Sequence, residues 1–317
     1  MPKSAPDDLS FVQNRRKPLV VAAIPAYNVE KTIAKIVLET MKFVDNVIVC
    51  DDGSADLTAE IAERLGACVV RHERNLGYGA AIQSLFKKAR ELNADVLVTL
   101  DGDGQHNPRE IPLLVEPVLE GKADVAVGSR FLGGSKNNNH VPRYRRFGIK
   151  AITGLTSAAS SLGLSDAQCG FRVYGRKALE GLDIYENGMG VSVEVLMEAK
   201  KHGLTLVEVP TNCNYHKVEK TSTHSPLMHG ASVIMSIVKL VVEDRPLVFL
   251  GVPGLVSLFV GAFFGAWMLQ MYAVEHQITT NIALASIGFI LIGLFCAFTA
   301  ITLYAISRLL QKTNGKH

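Results

Sequence analysis

Over the first part of the chain, short runs of apolar residues alternate with amphipathic stretches of roughly 12 residues, a pattern typical of βα units. Five apolar runs predict strands: 18–25 (PLVVAAIP), 46–52 (NVIVCDD), 67–72 (ACVVRH), 95–103 (DVLVTLDGD) and 124–130 (DVAVGSR). Runs that are apolar almost throughout indicate strands buried on both faces. The pattern therefore predicts an α/β fold whose mostly parallel sheet is sandwiched by helices.

Polar residues follow several of the predicted strands. In open α/β sheets, ligands bind beyond the carboxyl ends of the strands. This rule places four segments along one crevice: Pro25 to Tyr27, Asp51 to Ser54, Asp101 to Gln105, and Ser129 to Arg130.

The C-terminal part has a different pattern, with two apolar segments at 246–272 and 279–306. Each exceeds the roughly 20 residues needed to cross a bilayer, so we predict a two-helix transmembrane hairpin and an integral membrane protein. The connection between the segments contains no Lys or Arg, whereas Arg245, Arg308, Lys312 and Lys316 flank the outer ends. The positive-inside rule then predicts that residues 1–245 and both termini are cytoplasmic. The alternative is a buried helical hairpin in a soluble protein.

Charge and cysteine content narrow the possible functions. The 33 Lys and Arg residues nearly balance the 30 Asp and Glu residues, so the clustered basic surface expected of a nucleic-acid-binding protein is missing. The five cysteines form no CxxC pair and no metal-ligand spacing, which is typical of a reduced, cytosol-facing protein.

The segment LDGDGQHNP, residues 100–108, is the strongest candidate for chemistry. Asp101 and Asp103 are two positions apart at the end of a predicted strand, where side chains with a period of two point the same way. Gln105 adds a neutral oxygen. Two carboxylates with open coordination positions suit Mg²⁺ or Mn²⁺ that bridges phosphate oxygens. The alternative is an acidic turn that caps a helix or is solvated.

Three other segments carry candidate binding groups. Tyr27 offers a flat face on which a base can stack, Glu30 begins the following helix, and Asp52 could accept hydrogen bonds from a base N–H. Strand-end turns and helix caps are the alternative. The glycine-rich turn RNLGYGAAI, residues 74–82, resembles a phosphate cradle, although helix–sheet packing explains its glycines equally well.

Taken in order, the motifs PAYN, DDGSAD, RNLGYGAA, DGDGQHNP, GSRF, CGFR and EVP span residues 20 to 224. The set resembles the family 2 glycosyltransferases with a GT-A (Rossmann-like) fold. It is most similar to the polyprenyl-phosphate, or dolichol-phosphate type, sugar transferases, many of which carry C-terminal membrane helices. The resemblance implies inverting, metal-dependent transfer of a single sugar from a nucleotide-sugar, expected to be a UDP-sugar, to dolichyl or undecaprenyl phosphate.

The resemblance also implies a role for individual residues. The catalytic residues would be Asp103, Asp166, Arg130 and Arg172. The donor nucleotide would be bound by Pro25, Ala26, Tyr27, Glu30, Asp52, Gly79, Asp101 and Gly102. The metal, Mg²⁺ or Mn²⁺, would be held by Asp101, Asp103 and Gln105, and the acceptor phosphate by Arg130, Arg146 and Lys220. Tyr78 departs from the pattern, because relatives often have Lys at this position, so a charged contact to the donor is missing or replaced.

These predictions give the following organisation of the chain: residues 1–17 form a flexible lead, 18–224 the GT-A catalytic domain, 225–245 a juxtamembrane amphipathic helix, 246–307 the two transmembrane helices and 308–317 a cytoplasmic tail. The amphipathic stretches 143–162 and 225–244 could both lie in the membrane interface, or pack as ordinary core-facing helices. The expected partners are the nucleotide-sugar donor, the polyprenyl phosphate and the bilayer. The protein could also form a homo-oligomer.

Three other functions remain to be separated from this one. The protein could transfer sugar to another membrane-associated glycan acceptor, or bind a nucleotide-sugar without turnover. A sugar nucleotidyltransferase could share the sheet and the acidic metal site, but it would need no membrane spans and would carry a Gly-rich loop with Arg or Lys at the first strand in place of PAYN.

Overall fold

The structure is a computed structural model that describes residues 16–132, 149, 153–154, 163–213, 246–276 and 279–314. The chain divides into two compact units. The first comprises the described residues of Met1–His140, Cys169–Asp183 and Lys201–Glu219, and the second those of Val141–Gln168, Ile184–Lys200 and Lys220–His317.

A seven-stranded mixed sheet forms the centre of the first unit. Its strands are β1 (Val20–Ala26), β2 (Asn46–Asp51), β3 (Cys68–Arg71), β4 (Val96–Thr99), β5 (Val125–Ser129), β6 (Arg172–Gly175) and β7 (Leu206–Pro210). The order across the sheet is β3-β2-β1-β4-β6-β5-β7. Only β6 runs against its neighbours β4 and β5, and the other pairs are parallel. The predicted α/β fold with a mostly parallel sheet is therefore confirmed.

All five strands predicted from the apolar runs are present, but β6 and β7 were not predicted. Strand β6 has four residues, RVYG, and starts with a buried Arg172. Strand β7, LVEVP, contains Glu208 and ends in Pro210. A short strand with a charged residue gives no clear apolar run, so these two strands depend on tertiary pairing rather than on local pattern.

The helices around the sheet are α1 (Glu30–Thr40), α2 (Thr58–Arg64), α3 (Tyr78–Glu91), α4 (Ile111–Leu119) and α5 (Arg176–Gly181). Alternate side chains of β1, such as Ala22 and Ile24, join one apolar core with Ile33 of α1 and Leu114 of α4. Side chains of a strand alternate between faces, and on the other face α3 packs on β1 and β2. Helices thus cover both faces of the sheet.

The end of β4 differs from the prediction. The strand ends at Thr99 rather than extending to residue 103, and Asp101 to Gly104 form a turn. The N–H of Asp101 donates to His106 Nδ1 at 3.2 Å, so this backbone group is used within the loop instead of in the sheet. The two carboxylates are consequently arranged by a turn, and the period-of-two reasoning for them was wrong. Pro108 opens a short 3-10 turn (Pro108–Glu110) ahead of α4.

Two carboxylates hold the beginning of β1. The N–H of Leu19 donates to Asp95 Oδ2 at 2.8 Å, and the N–H of Val20 donates to Asp45 Oδ2 at 3.0 Å. The hydrogen bond from Lys17, together with that from Val20, holds the pKa of Asp45 below its usual value. The bond from Leu19, aided by Arg176, lowers the pKa of Asp95 in the same way. Both side chains therefore stabilise the fold as carboxylates.

The second unit contains α6 (Val191–Lys201), whose last residue belongs to the first unit, and two long apolar helices, α7 (Val252–Glu275) and α8 (Thr280–Asn314). A π-helical turn, Leu247–Gly251, precedes α7. By length and composition, Leu247–Glu275 and Thr280–Ile306 are each able to cross a membrane, and only 11% of each apolar window is buried. The two predicted apolar segments are therefore helical, and most of their surface is exposed among the described residues.

The helices α7 and α8 pack closely through small residues. A Cβ added at Gly261 would lie 2.7 Å from Ile290 Cγ1, so the backbones approach to a distance that only glycine allows. The hydroxyl of Ser286 donates to the Gly261 carbonyl at 2.8 Å, and that of Ser257 to the Phe289 carbonyl at 2.7 Å. Large apolar side chains such as Phe263 and Phe295 are exposed on the outside.

Several predicted segments fall on residues that the structure does not describe. These are most of the N-terminal lead, all but three positions of the stretch 143–162, and the whole of 225–245. The predicted interfacial location of the two amphipathic stretches therefore stays a prediction.

Candidate active site

The candidate site lies beyond the carboxyl ends of β1, β2, β4 and β5, as expected for a sheet of this type. Pro25 and Ala26 are the last residues of β1, and Tyr27 follows with 42% of its surface exposed. Tyr27 thus presents an aromatic side chain to solvent at the strand end, where a base could stack. The parallel pairing of β1 with β2 places Ala26 opposite Asp51.

The loops after β1 and β2 are joined by reciprocal hydrogen bonds. The N–H of Glu30 donates to Asp56 Oδ2 at 3.1 Å, and the N–H of Leu57 donates to Glu30 Oε2 at 3.2 Å. A similar exchange connects Asn28 with the loop of Ser54, whose hydroxyl accepts the N–H of Asn28 at 2.9 Å. The predicted donor residue Glu30 therefore also holds two loops together.

Asp52 is buried, and its carboxylate accepts hydrogen bonds from within the protein. Oδ1 lies 2.7 Å from His72 Nδ1 and accepts the N–H of Leu76 at 2.9 Å. Oδ2 accepts the N–H of Gly77 at 2.9 Å. A buried carboxylate needs several donors to offset its lost hydration, and these three provide them. Asp52 thus fixes the glycine-rich turn, a contact that the sequence motif did not predict.

The glycine-rich turn leads directly into α3, which begins at Tyr78. Gly79, a predicted donor residue, is buried in the first turn of this helix. The position agrees with a phosphate cradle at a helix N-terminus, and equally with close packing of α3 on the sheet.

Asp101 and Asp103 lie in the turn after β4, and the side chain of Asp101 is 31% exposed. Asp103 Oδ1 accepts the N–H of Gln105 at 2.9 Å. Gln105 Oε1 accepts a weak hydrogen bond from Cys213 Sγ at 3.7 Å. The carbonyl of Gly102, between the two carboxylates, accepts a hydrogen bond from Thr32 Oγ1 at 2.6 Å, which attaches the turn to α1.

Tyr78 is a residue of this site whose role the sequence reasoning missed. Its hydroxyl donates to Asp101 Oδ1 at 3.1 Å. Burial, together with the negative charge of Asp101, raises the pKa of Tyr78 well above its usual value, so the hydroxyl stays protonated and able to donate. Gly170 packs against the same pair, because an added Cβ would lie 2.9 Å from Tyr78 Oη and 3.0 Å from Asp101 Oδ2. The only available signal in the sequence was Tyr78 at a position where relatives often have Lys.

The two predicted arginines differ in position. Arg130 follows β5 directly and is 9% exposed. Arg172 is 2% exposed at the start of β6, and its Nε donates to the Cys169 carbonyl at 2.8 Å. The guanidinium supports the loop that places Gly170 against Asp101. The predicted catalytic role of Arg172 stays a prediction.

Three predicted site residues remain: Asp166, Arg146 and Lys220. Asp166 belongs to the second unit, is fully buried, and its Oδ1 accepts the N–H of Gln168 at 3.3 Å. Arg146 and Lys220 lie outside the described residues, so their predicted contacts with the acceptor phosphate stay predictions.

Sequence comparison identifies the family. Residues 21–183 match the family model described as glycosyl transferase family 2. The chain belongs to glycosyl transferase family 2. A dolichyl-phosphate hexose transferase of Haloferax volcanii is 31% identical over 221 residues, which cover 69% of this chain and 92% of the relative. A UDP-N-acetylglucosamine–dolichyl-phosphate N-acetylglucosaminyltransferase of Methanococcus voltae is 32% identical over 218 residues, 62% of this chain and 86% of the relative.

Solved structures show the fold of this family 2 member. Glucosyl-3-phosphoglycerate synthase from Mycobacterium tuberculosis in complex with UDP matches with a TM-score of 0.56 at 23% identity, over 71% of this chain and 80% of the synthase. Its complex with Mn²⁺, UDP and glucosyl-3-phosphoglycerate gives a TM-score of 0.53 at 23% identity, over 70% and 79%. The predicted GT-A fold is thereby confirmed. The general activity of a glycosyltransferase is supported by the family match over residues 21–183.

Proposed function

We propose that the protein transfers a single sugar, with inversion, from a nucleotide-sugar to a polyprenyl phosphate. The observation that carries the proposal is the turn of Asp101 and Asp103 beyond the sheet of a family 2 glycosyltransferase whose chain continues into two apolar helices. The names of the relatives from Haloferax and Methanococcus, both dolichyl-phosphate transferases, support the lipid phosphate as acceptor class. We infer a UDP-sugar as donor.

The residues after β4 fit a divalent cation such as Mg²⁺ or Mn²⁺. Among the described residues, no three His, Cys, Asp or Glu side chains form a group that could hold a metal ion alone. Mg²⁺ characteristically binds one or two carboxylates plus substrate phosphates, which suits Asp101 and Asp103 with Gln105 beside them. When bound there, the cation would stabilise negative charge on the leaving nucleoside diphosphate. The Mn²⁺ complex of the mycobacterial synthase supports this fit.

The donor nucleotide would lie across the ends of β1 and β2. Tyr27 would stack on the base, and the glycine-rich turn fixed by Asp52 would approach the diphosphate through Gly79 and the N-terminus of α3. Asp52 would then chiefly shape the donor pocket, because its carboxylate oxygens already accept three hydrogen bonds from within the protein.

The acceptor needs little activation. A phosphate monoester is already largely dianionic near neutral pH, since its second pKa is about 6. The protein therefore has to orient two anionic substrates and offset their repulsion. Arg130 after β5, with Arg146 and Lys220, would bind the acceptor phosphate, since arginine forms forked hydrogen bonds with phosphate oxygens. Asp166 would orient the reacting groups rather than accept a proton.

The helices α7 and α8 suit an acceptor that is held in a bilayer. A polyprenyl tail keeps its phosphate at the membrane surface, so the enzyme must stay within reach of the headgroups. We infer that the hairpin Leu247–Glu275 and Thr280–Ile306 anchors the protein, with the catalytic domain and both termini on the cytoplasmic side.

Donor turnover by the full-length, detergent-solubilised protein tests the proposal. The assay would combine a panel of UDP- and GDP-sugars with Mg²⁺ or Mn²⁺, in the presence or absence of polyprenyl phosphate. We expect nucleotide release that requires both metal and lipid phosphate, that is lost in Asp103→Ala, and that is unchanged in the exposed control Asp183→Ala. Release that does not require the lipid would be transfer of the sugar to water in this assay, and would point to an acceptor other than a lipid phosphate, such as another glycan. Nucleotide-sugar binding without release would leave a non-enzymatic function.

A further inference from the structure

His72 lies directly after β3, at the end of the apolar run 67–72 and outside the predicted site motifs. Its side chain is 9% exposed and contacts a polar group with each ring nitrogen. Nδ1 lies 2.7 Å from Asp52 Oδ1, and Nε2 lies 2.8 Å from the hydroxyl oxygen of Ser84 in α3. Both distances are those of well-formed hydrogen bonds. The imidazole therefore connects the end of β2 with α3 in a buried setting, where such bonds strongly restrict side-chain orientation.

The partners define which ring nitrogen carries a proton. A carboxylate only accepts hydrogen bonds, so Nδ1–H of His72 donates to Asp52. In the neutral ring, Nε2 then accepts the hydroxyl of Ser84. Cys50 Sγ is 3.6 Å from the same Nε2, and burial raises the pKa of Cys50 to about 12, so this neighbour is a neutral thiol. The contact with Asp52 is consequently the charged hydrogen bond of the group.

The Asp52 carboxylate that His72 holds also receives the N–H groups of Leu76 and Gly77, each at 2.9 Å. Gly77 has a φ of +105°, a conformation that favours glycine. The next residue is Tyr78, whose hydroxyl bonds to Asp101. The orientation of one carboxylate thus determines the path of the turn between the nucleotide side and the metal side of the site.

We propose that His72 is a positioning residue of the donor site: its Nδ1–H holds Asp52 in the orientation that fixes the turn into α3. This inference rests on the proposed function, because it takes Asp52 and the turn as parts of the donor pocket. A structural role alone would predict that loss of any contact of the imidazole lowers stability without a specific effect on the turn.

The substitutions His72→Asn and His72→Gln separate the two contacts. The amide nitrogen of Asn takes the place of Nδ1 and keeps the bond to Asp52, whereas that of Gln takes the place of Nε2 and keeps only the contact with Ser84. We expect His72→Gln to weaken UDP binding, measured by calorimetry on the full-length protein, about tenfold, the effect of losing one hydrogen bond to a charged group. For His72→Asn and for the control Ser84→Ala, we expect affinities within about twofold of the parent.

Hydrogen exchange of the peptide covering residues 72–80 gives a readout that does not depend on activity. The amides of Leu76 and Gly77 are expected to exchange faster in His72→Gln than in His72→Asn, since only the former releases Asp52. Equal exchange and equal UDP affinity in the two variants would overturn the proposal. A parent protein that turns over no nucleotide-sugar would refute the proposed function, while the exchange comparison would still decide the role of His72.

If His72→Gln does not fold, hydrogen exchange of the two variants that keep the Asp52 contact tests the proposal. Both His72→Asn and Ser84→Ala should then show the exchange rate of the parent at the turn. Faster exchange of the Leu76 and Gly77 amides in either variant would contradict the assignment of Asp52 as the partner through which His72 acts.

Discussion

Two acidic turns lie at the same edge of the sheet, one after β2 and one after β4, and they differ in what surrounds their carboxylates. The side chain of Asp52 is 5% exposed and accepts hydrogen bonds from His72 and from the backbone of the glycine-rich turn. The side chain of Asp101 is 31% exposed, with Tyr78 as the donor to one of its oxygens. The same residue type at equivalent strand ends is thus part of the scaffold in one turn and faces the crevice in the other.

The difference follows from the cost of burying a charge. An ionised carboxylate without solvent must be compensated by several donors, and Asp52 has backbone N–H groups in the right place because the turn closes over it. Asp101 keeps solvent access, so part of its compensation can come from a cation. Substitution of Asp52 should therefore lower stability, whereas substitution of Asp101 should lower activity with little change in stability.

The largest effect is expected from Asp101→Asn and Asp103→Asn. Each removes one negative charge from the candidate metal site, and we expect turnover to fall about 10³-fold, since a metal contributes several kcal/mol to stabilising the transition state. The melting temperature should change little, because the side chain of Asp101 is partly exposed and Asn can still accept from Tyr78. Steady-state assays and thermal melts check both points. Full turnover in either variant would contradict the assignment of this turn.

Tyr78→Phe should have the next largest effect, because it removes the hydroxyl that orients Asp101 without changing the charge. Loss of such an outer contact typically weakens metal binding about 10–100-fold. Titration of Mn²⁺ followed by electron paramagnetic resonance, with no donor or lipid present, measures this directly. Tyr185→Phe, on an exposed tyrosine, is the matched control. Equal affinity in Tyr78→Phe and the control would show that Tyr78 only packs against Gly170.

The contrast between the turns also separates the features that the sequence predicts from those that depend on the fold. The five strands, the location of the crevice and the two apolar helices followed from apolar runs and turn residues, because these depend on local pattern. The short strand β6 and the burial of Arg172 did not, since both depend on the pairing of β6 with β4 and with β5. Arg172 is 2% exposed, and no pattern in the sequence indicates that this charged residue is buried.

The hydrogen-bond partners of Asp52 were likewise not predictable from the sequence. His72 and the N–H groups of Leu76 and Gly77 are 20 or more residues away from it in the chain. A sequence motif names the carboxylate but not the donors that meet it. Tyr78 was recognisable as a departure from the family pattern, but its contact with Asp101 required the fold.

Asp52→Asn should lower stability more than Asp101→Asn does. One oxygen that accepts a backbone N–H or His72 becomes an NH₂ group, so a buried donor loses its partner, at a cost of about 1–3 kcal/mol. A loss of this size corresponds to a melting temperature lower by about 3–10 °C in a domain of this length. Thermal melts of the two variants in the same detergent give the comparison. An unchanged melting temperature for Asp52→Asn would remove the basis for treating the two turns differently.

The smallest expected effect concerns Asp95, a second carboxylate of the scaffold, which accepts the N–H of Leu19 and the guanidinium of Arg176, each at 2.8 Å. These contacts lower the pKa of Asp95, so its contribution to stability is complete above the pKa of the unfolded chain, about 3.9, and is lost as pH falls through the lower pKa of the folded protein. Asp95→Asn should cost about 1 kcal/mol at pH 7. The parent should lose this advantage below about pH 4, where the melting temperatures of parent and variant should converge. Melts between pH 7 and pH 3, with the exposed Asp183→Asn as control, test the convergence; a difference that stays constant with pH would mean that the charge of Asp95 contributes nothing.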